Sequence, residues 1–346
     1  MSEEHSYPWP AASATGVGSW PGEDPDEAVR TILGELPDLP HLPELPARGV
    51  GADMLGRTLG LLVDMPAEVQ PSGWRVADTP GRDLGRAHSF LSYDLDALTE
   101  HARDFTGTLK IQAAGPWTLA GTVELRSGQR MVADPGACRD LAESHLEGLL
   151  AHIAEVGRRV PGARLLVQVD EPSLPAVLTG SLPTASGFGR LPAVDRVRVE
   201  EVLRVLFSAI AGAGAVPAVH CCAEGAPVDL LRRSGARLIG LDAALLGRRH
   251  DEMLGTAVEA GTGLMLGVVP GADPTPAQAR RMSDPAATVS SVRELWNRLG
   301  IGPELLTRAV VTTPSCGLAG ASPGHARQAL KAVRDGARVL RDEPRR

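Results

Sequence analysis

The chain of 346 residues is 43% apolar and 22% charged, and it carries a formal net charge of −7. Acidic and basic residues are interspersed, and no basic stripe offers the positive charge that nucleic-acid phosphates require, so nucleic acid is not an expected partner. No stretch reaches the roughly 18 uncharged apolar residues of a membrane span, so no membrane partner is expected. The length fits one large α/β barrel or two ordinary domains, and we favour the single barrel.

The N-terminal residues and the cysteines indicate a cytoplasmic protein. Residues 1–6 are polar and acidic, without the charged n-region and apolar h-region of a secretory signal. The four cysteines, at positions 138, 221, 222 and 316, are few and irregularly spaced. A reducing compartment would keep them as thiols, so metal binding or catalysis explains them better than a disulfide framework.

Strand and helix patterns alternate after a short lead-in. Residues 1–13 predict an irregular lead-in, and residues 14–346 predict a single domain that opens with a strand at 14–18 and a helix at 26–33. A second strand falls within 37–53, where prolines at 37, 40, 43 and 46 interrupt any regular pattern. Further strands are predicted at 109–114, 165–170, 215–220, 237–242, 263–268 and 309–313, and further helices at 135–160, 199–211, 226–233 and 286–299.

These eight β segments, mostly followed by helices, predict a (β/α)₈ TIM barrel. Five polar residues lie at or just beyond the carboxyl ends of predicted strands, the face on which such barrels carry active sites: Ser19, Asp170, His220, Asp242 and Cys316. A doubly wound open sheet is the alternative fold, but no G-x-G-x-x-G fingerprint follows a strand. The expected site is therefore at the barrel mouth.

His220 and Cys222 form the clearest candidate metal motif. Side chains alternate along a strand, so these two face the same way while Cys221 faces oppositely. Zinc favours thiolate, imidazole and carboxylate ligands, and Cys316 together with Asp242, at the end of the next strand, would complete a set of four. A zinc ion held there would lower the pKa of an incoming thiol.

A His-x-Cys pair has a simpler explanation as a buried histidine beside a small core cysteine. Cys316 in a turn flanked by glycine and proline adds modest support for the metal site. Cys138, inside a predicted helix, and Cys221 are assigned to the core.

Several motifs, in the same order, resemble the C-terminal catalytic domain of cobalamin-independent methionine synthase, within the uroporphyrinogen decarboxylase/methionine synthase-like superfamily. They are Asp-Glu-Pro at 170–172, His-x-Cys at 220–222, a carboxylate ending the next strand, and Cys-Gly-Leu at 316–318, with Gly-Ser-Trp-Pro at 18–21 and Gly-Pro-Trp-Thr at 115–118. The resemblance runs from about residue 14 to near Arg341, and the combination of motifs is specific.

The resemblance implies an S-methyltransferase of methionine biosynthesis that moves a methyl group from 5-methyltetrahydrofolate, polyglutamylated or not, to the thiol of homocysteine. It also implies that zinc is the cofactor, with His220, Cys222 and Cys316 matching three ligands and Asp242 standing where the family has a glutamate. Ser19 matches a residue that contacts the amino acid's carboxylate.

In the same resemblance Asp170 matches a residue that pairs with the substrate's ammonium group, and Trp117 is a candidate to stack on a pterin ring. Each substrate residue has a structural alternative. Ser19 fits a helix N-cap, residues 170–172 fit a strand-to-helix turn with an early proline, and Trp117 fits core packing.

Three departures from the family pattern shape the expectations. The chain lacks the extra N-terminal barrel that helps the long form hold the folate tail, so it resembles the short single-barrel form. No histidine follows the seventh strand, and the catalytic acid is unassigned except for Asp273 as a candidate. The family's second ammonium-binding acid corresponds best to Glu44, with Asp53 as the alternative.

Two other functions stay open from the sequence. One is a zinc thiol methyltransferase that takes its methyl group from a corrinoid protein or another donor and accepts a different small thiol. The other is a non-catalytic protein that binds zinc or thiols on the same fold.

Overall fold

A computed structural model describes residues 7–343. The first six residues of the predicted lead-in and the last three residues of the predicted domain lie outside this range. None of the helices within it is both long enough and apolar enough to cross a bilayer.

The protein has an α/β fold built on one curled, parallel sheet. Its strands are β1 (Ala67–Gln70), β2 (Gly73–Val76), β3 (Thr108–Ala114), β4 (Arg164–Asp170), β5 (Val216–His220), β6 (Leu238–Asp242), β7 (Gly263–Val269) and β8 (Val310–Pro314). Strands β3 to β8 pair in parallel in chain order, whereas β1 and β2 form a separate antiparallel hairpin. The six predicted later strands are confirmed to within two residues at each end.

Helices follow most strands of the large sheet. They are α1 (Pro25–Glu35), α2 (Met54–Leu59), α3 (Arg82–Ala102), α4 (Pro116–Thr122), α5 (Pro135–Arg159), α6 (Leu174–Thr179), α7 (Arg196–Gly212), α8 (Val228–Arg233), α9 (Asp251–Glu259), α10 (Pro276–Met282), α11 (Pro285–Thr288), α12 (Ser290–Leu299), α13 (Pro303–Ala309) and α14 (Pro323–Asp342). Several begin with a first-turn proline after a side-chain cap, such as Asp24 before α1 and Asp134 before α5, because those first N–H groups have no partner within the helix.

The sheet is buried on both faces, as parallel sheets covered by helices usually are. The outer face packs against the surrounding helices in the main apolar core. The opposite side, which we call the inner face, carries a smaller apolar cluster that includes Leu166, Ala218, Leu238, Met265 and Val311. Because side chains alternate along a strand, the polar residues that end β4, β5 and β6 belong to this inner face.

The predicted strand at 14–18 and the irregular second strand placed within 37–53 do not form ladders. Residues 14–19 and 40–45 run as extended segments held by single parallel bridges, Ala14 to Thr312, Ser19 to Glu44 and His41 to Lys110, and the 3₁₀ helix Pro46–Arg48 ends the second segment. These bridges link both edges of the sheet, but the prolines at 37, 40, 43 and 46 leave too few N–H groups for a ladder. The sequence also did not predict the β1–β2 hairpin or helix α3.

A buried ionic network fastens the second extended segment to α3. The Asp94 side chain, on α3, is fully buried and accepts hydrogen bonds from the guanidinium groups of Arg48 and Arg57. The Arg48 guanidinium also lies 4.7 Å from the centre of the Phe90 ring. One carboxylate thus holds two cations that would otherwise be buried without a counter-charge.

Replacing this carboxylate should cost far more stability than a surface change of the same kind. We expect Asp94→Asn to lower the free energy of unfolding by about 3–5 kcal/mol, because two buried guanidinium groups lose their counter-charge. Asp96→Asn is the matched control, since Asp96 is 62% exposed and pairs with Arg159 at the surface, and it should cost about 1 kcal/mol or less. Urea denaturation followed by circular dichroism measures both, and equal losses would contradict the prediction.

Candidate active site

The pairing of β4 with β5 places Asp170 directly beside His220 on the inner face. The His220 Nδ1 atom lies 3.0 Å from Asp170 Oδ1, and both side chains are buried. Gln168 Nε2 donates to the same Asp170 oxygen at 2.8 Å. His220 Nδ1 therefore carries the proton, and its Nε2 is left as a buried acceptor with no hydrogen-bond partner among residues 7–343. An imidazole held by a carboxylate at one nitrogen and free at the other is the usual arrangement of a metal-binding histidine.

Cys222 and Cys316 meet at the same end of the sheet although 94 positions separate them. Their Sγ atoms are 3.6 Å apart. The Cys222 thiol donates to Cys316, which lowers the pKa of Cys316 to about 6 and raises the pKa of Cys222. Two sulfurs bound to one tetrahedral zinc ion lie about 3.8 Å apart, so this spacing suits a shared ion.

The predicted metal ligands do not form one closed cluster: Cys222 contacts Cys316, whereas His220 is held by Asp170. Asp242 Oδ1 accepts a hydrogen bond from the backbone N–H of Ala244 at 2.9 Å and begins a short 3₁₀ turn. Within the described part of the chain, only Asp26, Glu100 and His101 have three ligand atoms within 4.8 Å of one another, and they lie between α1 and α3. His220, Cys222, Asp242 and Cys316 as a zinc site thus stay a prediction.

Ser19 lies against the turn that carries Cys316. Its backbone carbonyl accepts from Leu318 N–H at 2.9 Å, and its hydroxyl oxygen accepts from Ala319 N–H at 3.3 Å. A Cβ at Gly317 would sit 2.1 Å from the Ser19 hydroxyl, so only glycine allows this approach. The N-cap of α1 is Asp24, so the alternative of Ser19 as a helix cap is wrong.

Glu44 is held beside Ser19 and faces the same interior. Its backbone N–H donates to Gly18 O at 3.1 Å, and its side chain is 4% exposed. Burial raises the pKa of Glu44 to about 7, against the opposing field of Arg57. The alternative residue, Asp53, caps helix α2 through Leu55 N–H and Gly56 N–H. Of the two candidates, Glu44 is the one beside the site.

Polar side chains that the sequence reasoning missed line the inner face below these residues. Lys110 and Gln112 lie on β3, and Gln168 lies on β4, all nearly or fully buried. Their signal was present in the sequence, because polar residues at every second position of an otherwise apolar strand mark one polar face. Burial lowers the pKa of Lys110 to about 8.

Glu171 follows Asp170 in sequence but points to the outer side of the sheet, toward helix α4. Its fully buried carboxylate accepts hydrogen bonds from Trp117 N–H at 3.0 Å, Thr118 N–H at 2.7 Å and the Thr118 hydroxyl at 2.8 Å. It therefore caps helix α4, and a Cβ at Gly115 would lie 2.3 Å from this carboxylate. Helix α6 begins only at Leu174, so Pro172 precedes the helix rather than opening it.

Trp117 and Asp273 do not adopt the roles that the sequence offered for them. The Trp117 side chain is 1% exposed within the main core, so the packing alternative describes it and its ring offers no face to a pterin. Asp273 accepts hydrogen bonds from the Ser322 hydroxyl at 2.7 Å and from Ser322 N–H at 3.1 Å. These bonds lower the pKa of Asp273, which makes it a poor proton donor.

The sequence analysis found no histidine in the loop after β7, but a histidine from a distant part of the chain contacts this loop. His325, on α14, places Nε2 2.9 Å from the carbonyl oxygen of Pro270 in that loop. Its side chain is 4% exposed.

Comparisons with known proteins agree with these motifs. The profile of the family described as cobalamin-independent synthase, catalytic domain, matches residues 12–339. A B12-independent methionine synthase from Shewanella sp. W3-18-1, solved with selenomethionine, aligns over 96% of this chain and 98% of its own at 15% identity, with a TM-score of 0.62. A β-mannanase from the blue mussel Mytilus edulis aligns over 96% and 97% at 10% identity, with a TM-score of 0.44. No curated protein matches the sequence significantly.

The Glu171 cap gives a prediction about stability. Glu171→Gln should lower the free energy of unfolding by about 2 kcal/mol, because an amide NH₂ would face N–H donors that now meet a carboxylate oxygen. Glu200→Gln is the control, since Glu200 pairs with Arg233 at the surface. Thermal and urea unfolding measure both variants, and a Glu171→Gln loss no larger than that of Glu200→Gln would contradict the cap.

The same variant should change the pH dependence of stability. Burial raises the pKa of Glu171 from 4.5 to about 7, so the folded chain binds this proton more tightly than the unfolded chain does. The stability that this group contributes therefore falls as pH rises through that interval. Glu171→Gln should flatten that part of the stability curve.

Proposed function

The chain belongs to the family of cobalamin-independent synthase catalytic domains, and from this membership we propose that it is an S-methyltransferase that makes methionine. The methyl group would come from 5-methyltetrahydrofolate, with or without a polyglutamate tail, and the acceptor would be the thiol of homocysteine. The observation that carries the proposal is that one end of the sheet carries both His220, held by Asp170 at Nδ1 with Nε2 left without a partner, and the Cys222–Cys316 thiol pair. The Shewanella enzyme was solved in complex with selenomethionine, which supports an amino-acid ligand for the present chain.

We propose zinc as the cofactor, held by His220, Cys222, Cys316 and Asp242. The residues fit such an ion, because a buried imidazole nitrogen lacks a partner and two thiols already stand at ligand spacing. When bound, zinc would supply the positive charge that lets a substrate thiol lose its proton near neutral pH. Asp242, whose Oδ1 accepts from Ala244 N–H, would supply the carboxylate ligand.

The substrate's amino-acid end fits the polar residues around this centre. Both hydrogen bonds that Asp170 accepts use Oδ1, which leaves Oδ2 to receive an ammonium group. Glu44 would contribute the second carboxylate and Ser19 a hydroxyl toward the substrate's carboxylate. Such contacts would hold the sulfur in line with the methyl group, which is where positioning lowers the barrier.

The donor nitrogen must gain a proton before its methyl group leaves. Asp273 is the acid that the sequence offered, and its lowered pKa argues against that role. The second candidate function therefore stays open: a corrinoid or another already activated donor supplies the methyl group to a small thiol. A non-catalytic zinc- or thiol-binding protein is the third.

We further infer that the extended segments complete a (β/α)₈ barrel with the six-stranded sheet. The support is the chain of single bridges from β8 through both segments to β3. A cytoplasmic location, where the four free cysteines would remain reduced, is part of the same proposal.

Metal analysis tests the proposed centre without any activity measurement. We expect about one zinc per chain, and we expect Cys222→Ser and Cys316→Ser each to lose at least about tenfold in zinc affinity, because a hydroxyl is a far weaker zinc ligand than a thiolate. Cys138→Ser is the matched control, since Cys138 lies in the core and donates to Met131 O. Full zinc retention in both site variants would contradict the proposed zinc site.

A donor assay tests the reaction itself. The purified protein is given homocysteine with methyltetrahydrofolate as the mono- or triglutamate, or with methylcobalamin, and methionine is quantified. Methionine formed from either folate supports the proposal, and chelation of the metal should abolish it because the thiol would then stay protonated. Methionine formed only from methylcobalamin would favour the second candidate. Thiol binding without turnover of any donor would favour the binding protein.

A further inference from the structure

Lys110 is a buried cation for which the proposed reaction has no use. Of the 35 lysine and arginine residues in the chain, two are lysines, Lys110 and Lys331. Lys331 is on α14 and pairs with Asp335 at the surface, whereas Lys110 is fully buried on the inner face of β3. An ammonium group removed from water costs free energy unless other groups compensate its charge.

Hydrogen bonds from Lys110 and its neighbours connect three parts of the chain that surround the interior. Its Nζ donates to Val17 O at 2.7 Å and to Gln112 Oε1 at 3.2 Å. Val17 O also accepts from Gln168 Nε2 at 2.8 Å, and Gln112 Nε2 donates to Leu42 O at 2.7 Å. One cation thereby connects the segment of Ser19, the segment of Glu44 and strand β3. Through Gln168 the connection reaches Asp170.

The charge of Lys110 is compensated from a distance by the carboxylates of Asp170 and Glu44, which act against the lowering of its pKa by burial. Glu44 in turn faces charged groups from several elements. Burial and Asp170 raise the pKa of Glu44, whereas Arg57, a hydrogen bond from Gln112, and Lys110 lower it. Burial and Lys110 together lower the pKa of the neighbouring His41, so this histidine adds no positive charge.

We propose that Lys110 is a positioning residue for an amino-acid substrate: its hydrogen bonds to Val17 O and Gln112 Oε1 fix the segments that carry Glu44 and Asp170, and its charge favours the ionised form of Glu44, so that an incoming ammonium group meets two carboxylates. The inference rests on the proposed function, because it assumes that an amino acid occupies this interior. Burial favours the protonated form of Glu44, which would have to release its proton when an ammonium group binds. Arg57 and Lys110 both lower this cost before the substrate arrives.

The test uses L-methionine, the product of the proposed reaction, and its analogue without the amino group, 4-(methylsulfanyl)butanoate. Isothermal titration calorimetry of the zinc-loaded full chain compares wild type, Lys110→Met and Lys331→Met. In Lys110→Met, the affinity for methionine should fall about tenfold at about pH 6.5 and return to within about twofold of wild type at about pH 8.5, as Glu44 loses its extra proton. Lys331→Met should match wild type at both pH values, and the analogue should show no such pH-dependent loss.

Three results would overturn the inference. Wild-type affinity in Lys110→Met at every pH would show that Lys110 does not hold Glu44. An equal loss at all pH values and for both ligands would show that Lys110 only supports the fold. A wild-type protein that neither binds methionine nor forms it would reject the proposed function, and the inference would fall with it.

A measurement on the wild type covers the case in which Lys110→Met fails to fold. Titration of methionine in two buffers of different ionisation heat reports the protons released on binding. Release should appear at about pH 6.5, since Glu44 is partly protonated there. Absence of release in the wild type at about pH 6.5 would contradict the role of Glu44. Lys110→Gln is the second variant for the affinity comparison.

Discussion

The hydrogen bond between Asp170 and His220 is the contact on which the rest of the site depends. It exists because β4 and β5 pair in parallel in a register that sets these two residues side by side on the inner face. A slip of one residue would turn one of them to the helix side. The bond fixes the imidazole tautomer, leaves Nε2 without a partner, and occupies one Asp170 oxygen while leaving the other for a ligand. The proposed metal ligand and the residue proposed to bind the substrate's ammonium group thus meet at one contact.

Around this contact, several charged side chains are buried, and other charged groups take the place of water as their partners. The carboxylates of Glu44 and Asp170 face Lys110 across the interior, and Arg57 adds positive charge from the α2 side, where Asp94 anchors it. Each group alone would lose much of its hydration energy on burial, so their stability depends on the set as a whole. The proposed amino-acid substrate would therefore need little rearrangement of the site, because the site's dipoles and charges are already oriented.

The alternation of side chains along strands allowed the sequence to predict which side chains share a face of the sheet. Alternation correctly separated Cys222, which meets Cys316, from Cys221, which is buried on the other side. It did not reveal that Glu171 would cap α4 while Asp170 faces inward, because the capped residue Thr118 is 53 positions away in sequence. It could not separate packing from stacking for Trp117, since both need the same aromatic side chain. Contacts to backbone carbonyls, such as Val17 O, leave no trace in residue types.

The irregular first two segments give the interior these backbone acceptors. In a regular parallel ladder, the carbonyl groups of residues such as Val17 and Leu42 would accept N–H groups from the neighbouring strands. Single bridges replace the ladder in both segments. The carbonyl oxygens of Val17 and Leu42 instead accept from Lys110, Gln112 and Gln168. The irregular segments therefore supply acceptors for the buried nitrogen atoms of a lysine and two glutamines, beside the carboxylates proposed to receive the substrate.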